Sequence, residues 1–387
     1  MFSYFPTNYV WNLSINLALE MGARIGEIEA ICASLLEVSK QGDDAGTSAF
    51  LNSFAAMGDK LASLAEEDLA AGHELSAGTK LDRAATYFIT CERMQPAHSA
   101  ARREIYARQQ RCFRRGMELM RDPASRVEIP YQGGMIAGIL VPAEGITGPA
   151  PLIVMVNGLD SVKEMIYRVG LPRALARRGV STLVIDQPGT GEALRLYNQP
   201  AVSNAEEWAT PVFDFIAADS RVAPRRIGMH GVSLGGYYAP RAVAFEPRFA
   251  LGVCWGANHN WGEVQRKRLA REGERPVPHY WEHVQWVFGQ RDMESFFRVA
   301  ERMTLDGILD RIRVPFLVTH GEKDRQIPLM YAHQTYQQLI NSPKRELKIF
   351  TEREGGVHHS SVDNSANAID FQADWIADTF REIGERT

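Results

Sequence analysis

Three residues of this chain stand in settings that could make a hydroxyl attack a carbonyl carbon. Ser233 lies in Gly231-Val-Ser-Leu-Gly235, after the apolar run Ile227-Gly-Met-His230 and before Tyr237-Tyr-Ala-Pro-Arg-Ala-Val-Ala-Phe245, which can continue as a helix. A Gly-x-Ser-x-Gly turn between a strand and a helix holds serine on a strained elbow and lets the neighbouring backbone pass close by. Such a turn would lift the Ser233 oxygen out of the sheet edge. It would also aim the Leu234 N–H, at the start of the helix, toward the place where an oxyanion forms.

A serine hydroxyl is a poor nucleophile until a base takes its proton, and the base needs an acid to fix its tautomer. With an elbow of this kind the partners follow in the order serine, acid, histidine. Phe316-Leu-Val-Thr-His-Gly-Glu-Lys-Asp324 reads as an apolar strand ending in a loop, and Asp324 falls past the turn, where an orienting acid belongs, with Glu322 as its neighbour. The base should sit on the loop after the last strand, and Glu354-Gly-Gly-Val-His-His-Ser360 supplies two histidines, His358 and His359, that spacing alone does not separate. A second oxyanion donor should come from Val156-Asn-Gly-Leu-Asp160, where Gly158 allows a turn and the Leu159 N–H is the candidate. Asp160 could touch substrate or cap the following helix.

Rival chemistries read weaker. Gly189-Thr-Gly191 follows a strand, but Leu194 occupies the third glycine position of a dinucleotide loop. His279-Tyr-Trp-Glu-His283 fits H-x-x-E-H, yet Pro276 and Pro278 precede it closely and a packed aromatic helix accounts for it, so no metal is expected. No P-loop is present.

The elements that must position these residues begin at Asp122-Pro, where a helical style gives way to strands and turns. Val127–Tyr131 and Met135–Val141 read as a hairpin. Strands at Leu152–Val156, Ser181–Ile185, Ile227–His230, Leu251–Trp255, Phe316–Thr319 and Leu347–Phe350 then alternate with helices near Leu171–Arg178 and Trp208–Ala218. Eight strands with the elbow after the fifth predict an α/β fold with a mainly parallel sheet, the count of an α/β-hydrolase core. Residues 126–387 form this predicted domain, and residues 258–310 form a helical insert rich in aromatics, including Trp261, Tyr280, Trp281, Trp286, Phe288, Phe296 and Phe297. Its place after the sixth strand suits a lid or pocket wall.

Residues 1–125 read as helices around Trp11–Met21, Ile25–Val38, Ala49–Ala71 and Leu81–Met94, followed by an arginine-rich helix between His98 and Arg121. Arg102, Arg103, Arg108, Arg111, Arg114 and Arg115 are expected on its wet face. Over 387 residues the net charge of −4 argues against a nucleic-acid partner. No run approaches the roughly 18 apolar residues of a membrane span. Cys32, Cys91, Cys112 and Cys254 are scattered and read as reduced thiols. The amino terminus shows no secretory pattern, so a cytoplasmic protein is expected.

Asn157-Gly-Leu-Asp-Ser-Val-Lys-Glu164, Asp186-Gln-Pro-Gly-Thr-Gly-Glu192, Gly231-Val-Ser-Leu-Gly-Gly236, Glu246-Pro-Arg-Phe249 and the late Gly-Gly-x-His-His loop, taken jointly, resemble one branch of the α/β hydrolases. This is the 2,6-dihydroxypseudooxynicotine hydrolase-like group, which includes fungal polyketide-shortening hydrolases and FrsA-like esterases, and the likeness covers nearly the whole chain. The resemblance implies a homodimeric, cofactor-free serine hydrolase that cleaves a carbon–carbon bond beside a ketone, with the amino-terminal helices as cap or dimerisation region. Aligning the loop through Val362-Asp-Asn364 places the family histidine on His359, with Ser360 where cysteine is usual. Glu263, in Asn258-His-Asn-Trp-Gly-Glu263, is the nearest match to a pocket glutamate that could bind substrate or transfer a proton. The substrate expected is a β-diketone or acyl-aromatic ketone. A carboxylesterase for small or aromatic esters and a non-catalytic ligand-binding protein on the same fold are the alternatives.

Overall fold

The apolar runs from Ser125 onward become one eight-stranded sheet in the computed structural model of the protein, which describes residues 1–385. The strands are β1 Ser125–Tyr131, β2 Gly134–Val141, β3 Ala150–Val156, β4 Ser181–Ile185, β5 Val222–Val232, β6 Gly252–Trp255, β7 Phe316–Gly321 and β8 Arg345–Phe350. Their spatial order is β1-β2-β4-β3-β5-β6-β7-β8. β1 and β2, and β2 and β4, pair antiparallel; every later pair is parallel. Every residue of β3 is buried, which is why Pro151-Leu-Ile-Val-Met-Val156 is a continuous apolar run rather than an alternating one. At the edge, β1 exposes most of its residues and tolerates Pro130, which has no N–H to give a ladder.

The helices are α1 Tyr9–Glu20, α2 Ile25–Cys32, α3 Thr47–Ala70, α4 Glu74–Arg93, α5 Ala100–Met120, α6 Lys163–Val169, α7 Leu171–Ala176, α8 Gly191–Arg195, α9 Glu206–Ala217, α10 Gly235–Phe245, α11 Trp261–Leu269, α12 Tyr280–Val287, α13 Met293–Ala300, α14 Leu329–Gln338 and α15 Ala366–Glu385. Trp375, Ile376 and Phe380 of α15 pack in one buried cluster with Ile153, Val253 and Leu317 of the sheet. Each large side chain so buried contributes about 1.5–3 kcal/mol.

The chain divides into two compact units: Met1–Ala124 with Arg275–His283, and Ser125–Glu274 with Val284 onward. Part of the insert expected at 258–310 therefore groups with the amino-terminal helices. In the first unit Trp11 lies edge-on to Phe5 and Phe50, at 5.2 and 5.0 Å between ring centres. Arg103, Arg111, Arg114 and Arg115 of α5 are exposed as expected. Arg102 is not: it is buried, and its Nε donates to Glu92 at 2.7 Å, an ion pair that a pattern of alternating charge does not reveal. Arg102 Nη1 lies 3.5 Å from His283 Nδ1, whereas His279 faces Thr47 and Asp44, so the two rings of the H-x-x-E-H segment serve separate contacts.

In the second unit Trp261, Phe288 and Phe296 bury one another, at 4.9 and 5.7 Å from Trp261 to the two phenylalanines, and so form the insert's own core. All four cysteines are free thiols. Among the described residues no helix is long and apolar enough to cross a membrane, and no cluster of three or more His, Cys, Asp or Glu could hold a metal.

Candidate active site

The elbow forms where β5 meets α10. Ser233 adopts φ +58°, a conformation that costs a non-glycine residue energy and persists only where its surroundings enforce it. Those surroundings demand small neighbours. A Cβ on Gly231 would come within 1.9 Å of the Gly235 carbonyl oxygen, and one on Gly236 within 2.0 Å of the Gly256 oxygen. The Ser233 N–H is tied to the Trp255 carbonyl at 2.9 Å, which locks the turn to the end of β6.

The loop after β7 brings Asp324 to this serine. Its Oδ1 accepts the Gln326 and Ile327 N–H groups at 2.7 and 3.0 Å, and its Oδ2 accepts from His359 Nδ1 at 2.8 Å. His359 Nε2 lies 2.8 Å from Ser233 Oγ. Burial pushes the Asp324 carboxyl up, but the adjacent His359 imidazole, with its charge and hydrogen bond, and His320 outweigh this and leave it lowered to about 2. An ionised Asp324 can only accept, so Nδ1 of His359 carries the proton and Nε2 is free to receive the one from Ser233. This series can therefore withdraw the hydroxyl proton and hold the resulting imidazolium.

His358, the other histidine of the loop, makes no ring hydrogen bond to Ser233 or Asp324. Its backbone N–H and those of Gly356 and Val357 converge instead on the Asp363 carboxylate, which shapes the loop. Ser360, next along, has φ +49° and a buried Oγ with no protein partner, an environment that a weakly polar thiol would suit equally.

Leu234 precedes α10 and Leu159 follows β3, and among the described residues neither N–H meets a protein acceptor. Gly158 brings the Leu159 loop against the serine: a Cβ there would stand 3.1 Å from Ser233 Cβ and 3.5 Å from its Oγ. Asp160 lies on the same loop, two residues before Val162, the N-cap of α6. Glu263, at the start of α11, hydrogen-bonds Tyr331 and pairs with Lys267 at 2.7 Å, and no contact joins it to Ser233, His359 or Asp324. Those bonds, from Lys267 and then from Tyr331, hold its carboxyl below the usual range.

Two groups of residues around the site escaped the sequence reading. His320, one turn before Asp324, accepts the Ala257 N–H at Nδ1 (3.2 Å) and donates from Nε2 to the Ile327 carbonyl (3.1 Å). Burial pushes its imidazole down, and its two bonds tie the acid loop to the end of β6. The second group is a buried ionic cluster. Lys163 Nζ lies 2.6 Å from Glu164, 3.0 Å from Asp186 and 2.7 Å from Glu192, and Glu192 also receives both terminal nitrogens of Arg126 at 2.6 and 2.8 Å. Asp186 accepts the Lys163 and Glu192 N–H groups at 2.7 and 2.9 Å, satisfying first-turn donors of α6 and α8. Gly191 makes that possible, because a Cβ there would fall 1.9 Å from the Asp186 carboxylate, and this accounts for the Gly-Thr-Gly stretch without a nucleotide. Lys163, Glu164, Asp186 and Glu192 all stand in the two stretches that carry the family resemblance, but nothing in their spacing shows that they meet as one ionic cluster.

Comparison with known proteins agrees with the fold. The esterase FrsA-like family model matches residues 59–260, and the prolyl oligopeptidase family model matches residues 171–382. The chain is 29% identical to the 2,6-dihydropseudooxynicotine hydrolase of Paenarthrobacter nicotinovorans, over 81% of this chain and 80% of that one. It is 26% identical to a hydrolase of a Fusarium species, over 98% of both. The crystal structure of 2,6-dihydroxy-pseudo-oxynicotine hydrolase superposes with a TM-score of 0.74 over 95% of each chain at 23% identity, a likeness of fold. Sheet order, elbow and matched family models lead to one conclusion: the chain belongs to the FrsA-like esterase family of α/β hydrolases, its carboxy-terminal half also matching the prolyl oligopeptidase family, and it is a hydrolase.

Proposed function

We propose that Ser233 is the nucleophile of a serine hydrolase that cleaves a carbon–carbon bond beside a ketone in a β-diketone or acyl-aromatic substrate. The observation that carries this reading is the unbroken series from Ser233 Oγ through His359 to Asp324, with 2.8 Å at each link. Ser233 Oγ attacks the carbonyl carbon as its proton passes to His359 Nε2, and the oxyanion is received by the Leu234 and Leu159 N–H groups. Collapse breaks the carbon–carbon bond. The released electron pair delocalises into the neighbouring ketone or ring, and the His359 imidazolium returns the proton to carbon. Water, deprotonated by His359, then hydrolyses the acyl-Ser233 ester. Glu263 is a poor proton donor here because Lys267 and Tyr331 favour its ionised form. No step calls on a cofactor.

The preference for carbon–carbon cleavage rests on the resemblance to the 2,6-dihydroxypseudooxynicotine hydrolase-like group. The match to an esterase family model favours a second reading, a carboxylesterase for small or aromatic esters. A carbon leaving group needs an adjacent electron acceptor and an ester does not. Turnover of benzoylacetone far above p-nitrophenyl acetate therefore supports the first reading, and the reverse ranking the second. Ser233→Ala should abolish turnover of both while leaving ligand binding intact; retained turnover overturns the nucleophile assignment, and a parent protein that binds ketones without turnover is a binding protein. The same resemblance supports a homodimer, testable by light scattering in solution, and the buried free thiols suit a reducing cytoplasm.

A further inference from the structure

The loop from Asn157 to Lys163 carries the Leu159 N–H, and it is fixed from three sides by side chains to which the reaction scheme gives no role. Asn157 is clamped in both directions by Gln187, whose Oε1 accepts the Asn157 N–H and whose Nε2 donates to the Asn157 carbonyl, each at 3.0 Å. Asn157 Nδ2 donates to the Ile185 carbonyl at 2.7 Å and to Asp186 Oδ1 at 3.2 Å. At the far end, Asp186 Oδ1 accepts the Lys163 N–H at 2.7 Å. Between these anchors Ser161 Oγ donates to Asn157 Oδ1 at 3.0 Å and accepts the Gly158 N–H at 2.9 Å. All of these groups are buried: Ser161 is 7% exposed, Lys163 1%, Asp186 and Gln187 0%.

The consequence is selective. Of the two N–H groups that follow Asn157, that of Gly158 is consumed by Ser161 and that of Leu159 is left without a protein acceptor, on a loop that packs against Ser233. Asp186 gathers bonds from both ends of the loop, from the Glu192 N–H and from Lys163 Nζ, and it can receive that many donors as an anion. A carboxylate so fully desolvated is stable only beside a positive charge, which Lys163 supplies.

We infer that Ser161, Gln187 and the buried Lys163–Asp186 pair are positioning residues that hold the Leu159 N–H as the second oxyanion donor. This rests on the proposal that Ser233 is the nucleophile. Removal of the Ser161 hydroxyl leaves the Gly158 N–H buried and unpaired, frees the Asn157–Gly158 peptide to turn, and swings the Leu159 amide off the oxyanion.

The test compares Ser161→Ala with the parent for turnover of whichever of benzoylacetone and p-nitrophenyl acetate the parent hydrolyses faster, and for inhibition by 2,2,2-trifluoroacetophenone, which forms a tetrahedral oxyanion on serine. Displacement of one donor by about 1 Å predicts a fall in kcat on the order of 10²-fold with KM moving less than about twofold. The inhibitor's Ki should rise by about the factor by which kcat falls, a split that a merely structural role would not produce. Ser161→Thr restores the hydroxyl and should recover most of the rate. Gln187→Leu, which unpins Asn157 from the other side, should show the same split and serves if Ser161→Ala does not fold. Parent-like kcat and Ki in the folded variants overturn the inference, as does a loss of KM and kcat without any change in Ki. If Ser233→Ala is inactive while Ser161→Ala and Gln187→Leu behave as the parent, this inference fails and the nucleophile assignment stands; if Ser233→Ala retains activity, the assignment itself fails.

Discussion

Asp324→Asn isolates what the acid contributes, because asparagine keeps one oxygen to accept the Gln326 and Ile327 N–H groups and so preserves the loop. Its amide then faces His359 Nδ1 with a donor, and the imidazole responds by moving its proton to Nε2, where it donates to Ser233 instead of accepting from it. Restoring the productive tautomer sets two donors against each other, at about 1–3 kcal/mol. The charge-assisted bond that would stabilise the imidazolium, worth about 1.5–3 kcal/mol, is also gone. Together these come to about 2.5–6 kcal/mol, a fall of roughly 10²–10⁴ in kcat, whose upper end matches the loss of about 10⁴ seen when the acid of a serine triad becomes an amide. Stability supplies an independent readout. The Asp324 carboxyl is lowered from 3.8 to about 2, so its contribution is fully present above about pH 4 and is lost as pH falls toward 2. That loss is about 2 kcal/mol in the parent and absent in Asp324→Asn, measured as denaturant midpoints across that range. A folded Asp324→Asn protein with kcat within about tenfold of the parent would refute the reasoning.

The two neighbouring histidines should separate sharply in steady-state assays: His359→Ala loses on the order of 10⁵–10⁶ in kcat, whereas His358→Ala stays within about threefold, and the opposite ranking would reassign the base. Burial lowers the His230 imidazole from 6.5 to about 4, where it bonds Gln372 at 2.9 Å. The unfolded chain therefore binds a proton first as pH falls, and stability present above about pH 7 is lost between 6.5 and 4. Urea midpoints should show about 3 kcal/mol of this loss, reduced in His230→Gln. Gly191→Ala forces a Cβ to 1.9 Å from the Asp186 carboxylate at φ +38° and should cost about 2–3 kcal/mol in thermal or urea melts; a neutral substitution would deny that closeness.

Much of the scaffold is legible in the sequence. β3, β4, β6 and β7 are short apolar runs because parallel strands are covered on both faces, and they match the expected runs closely, whereas β5 starts at Val222, five residues before the apolar run at Ile227, through a polar stretch that periodicity does not mark as strand. The elbow was legible because its glycines are dictated by backbone approach, visible in Gly231 and Gly236. Helix α6 was missed, since its seven residues carry no apolar period and its first N–H is satisfied by Asp186, far away in the chain. The buried Arg102–Glu92 pair was likewise invisible, because a charge on a helix looks the same whether water or a carboxylate faces it.

What the sequence determined alone is local: which residues can turn, which runs must be buried, and the chain order serine, acid, histidine. The crossing of β3 and β4 in the sheet, the proximity of His359 rather than His358 to Ser233, the diversion of Glu263 to Tyr331 and Lys267, and the ionic cluster behind the Leu159 loop were decided only by the fold. Apart from the strand order, these depend on side chains brought together from distant parts of the chain, 68 residues in the case of Glu263 and Tyr331 and 126 in the case of His359 and Ser233, and no local pattern encodes a distance of that kind.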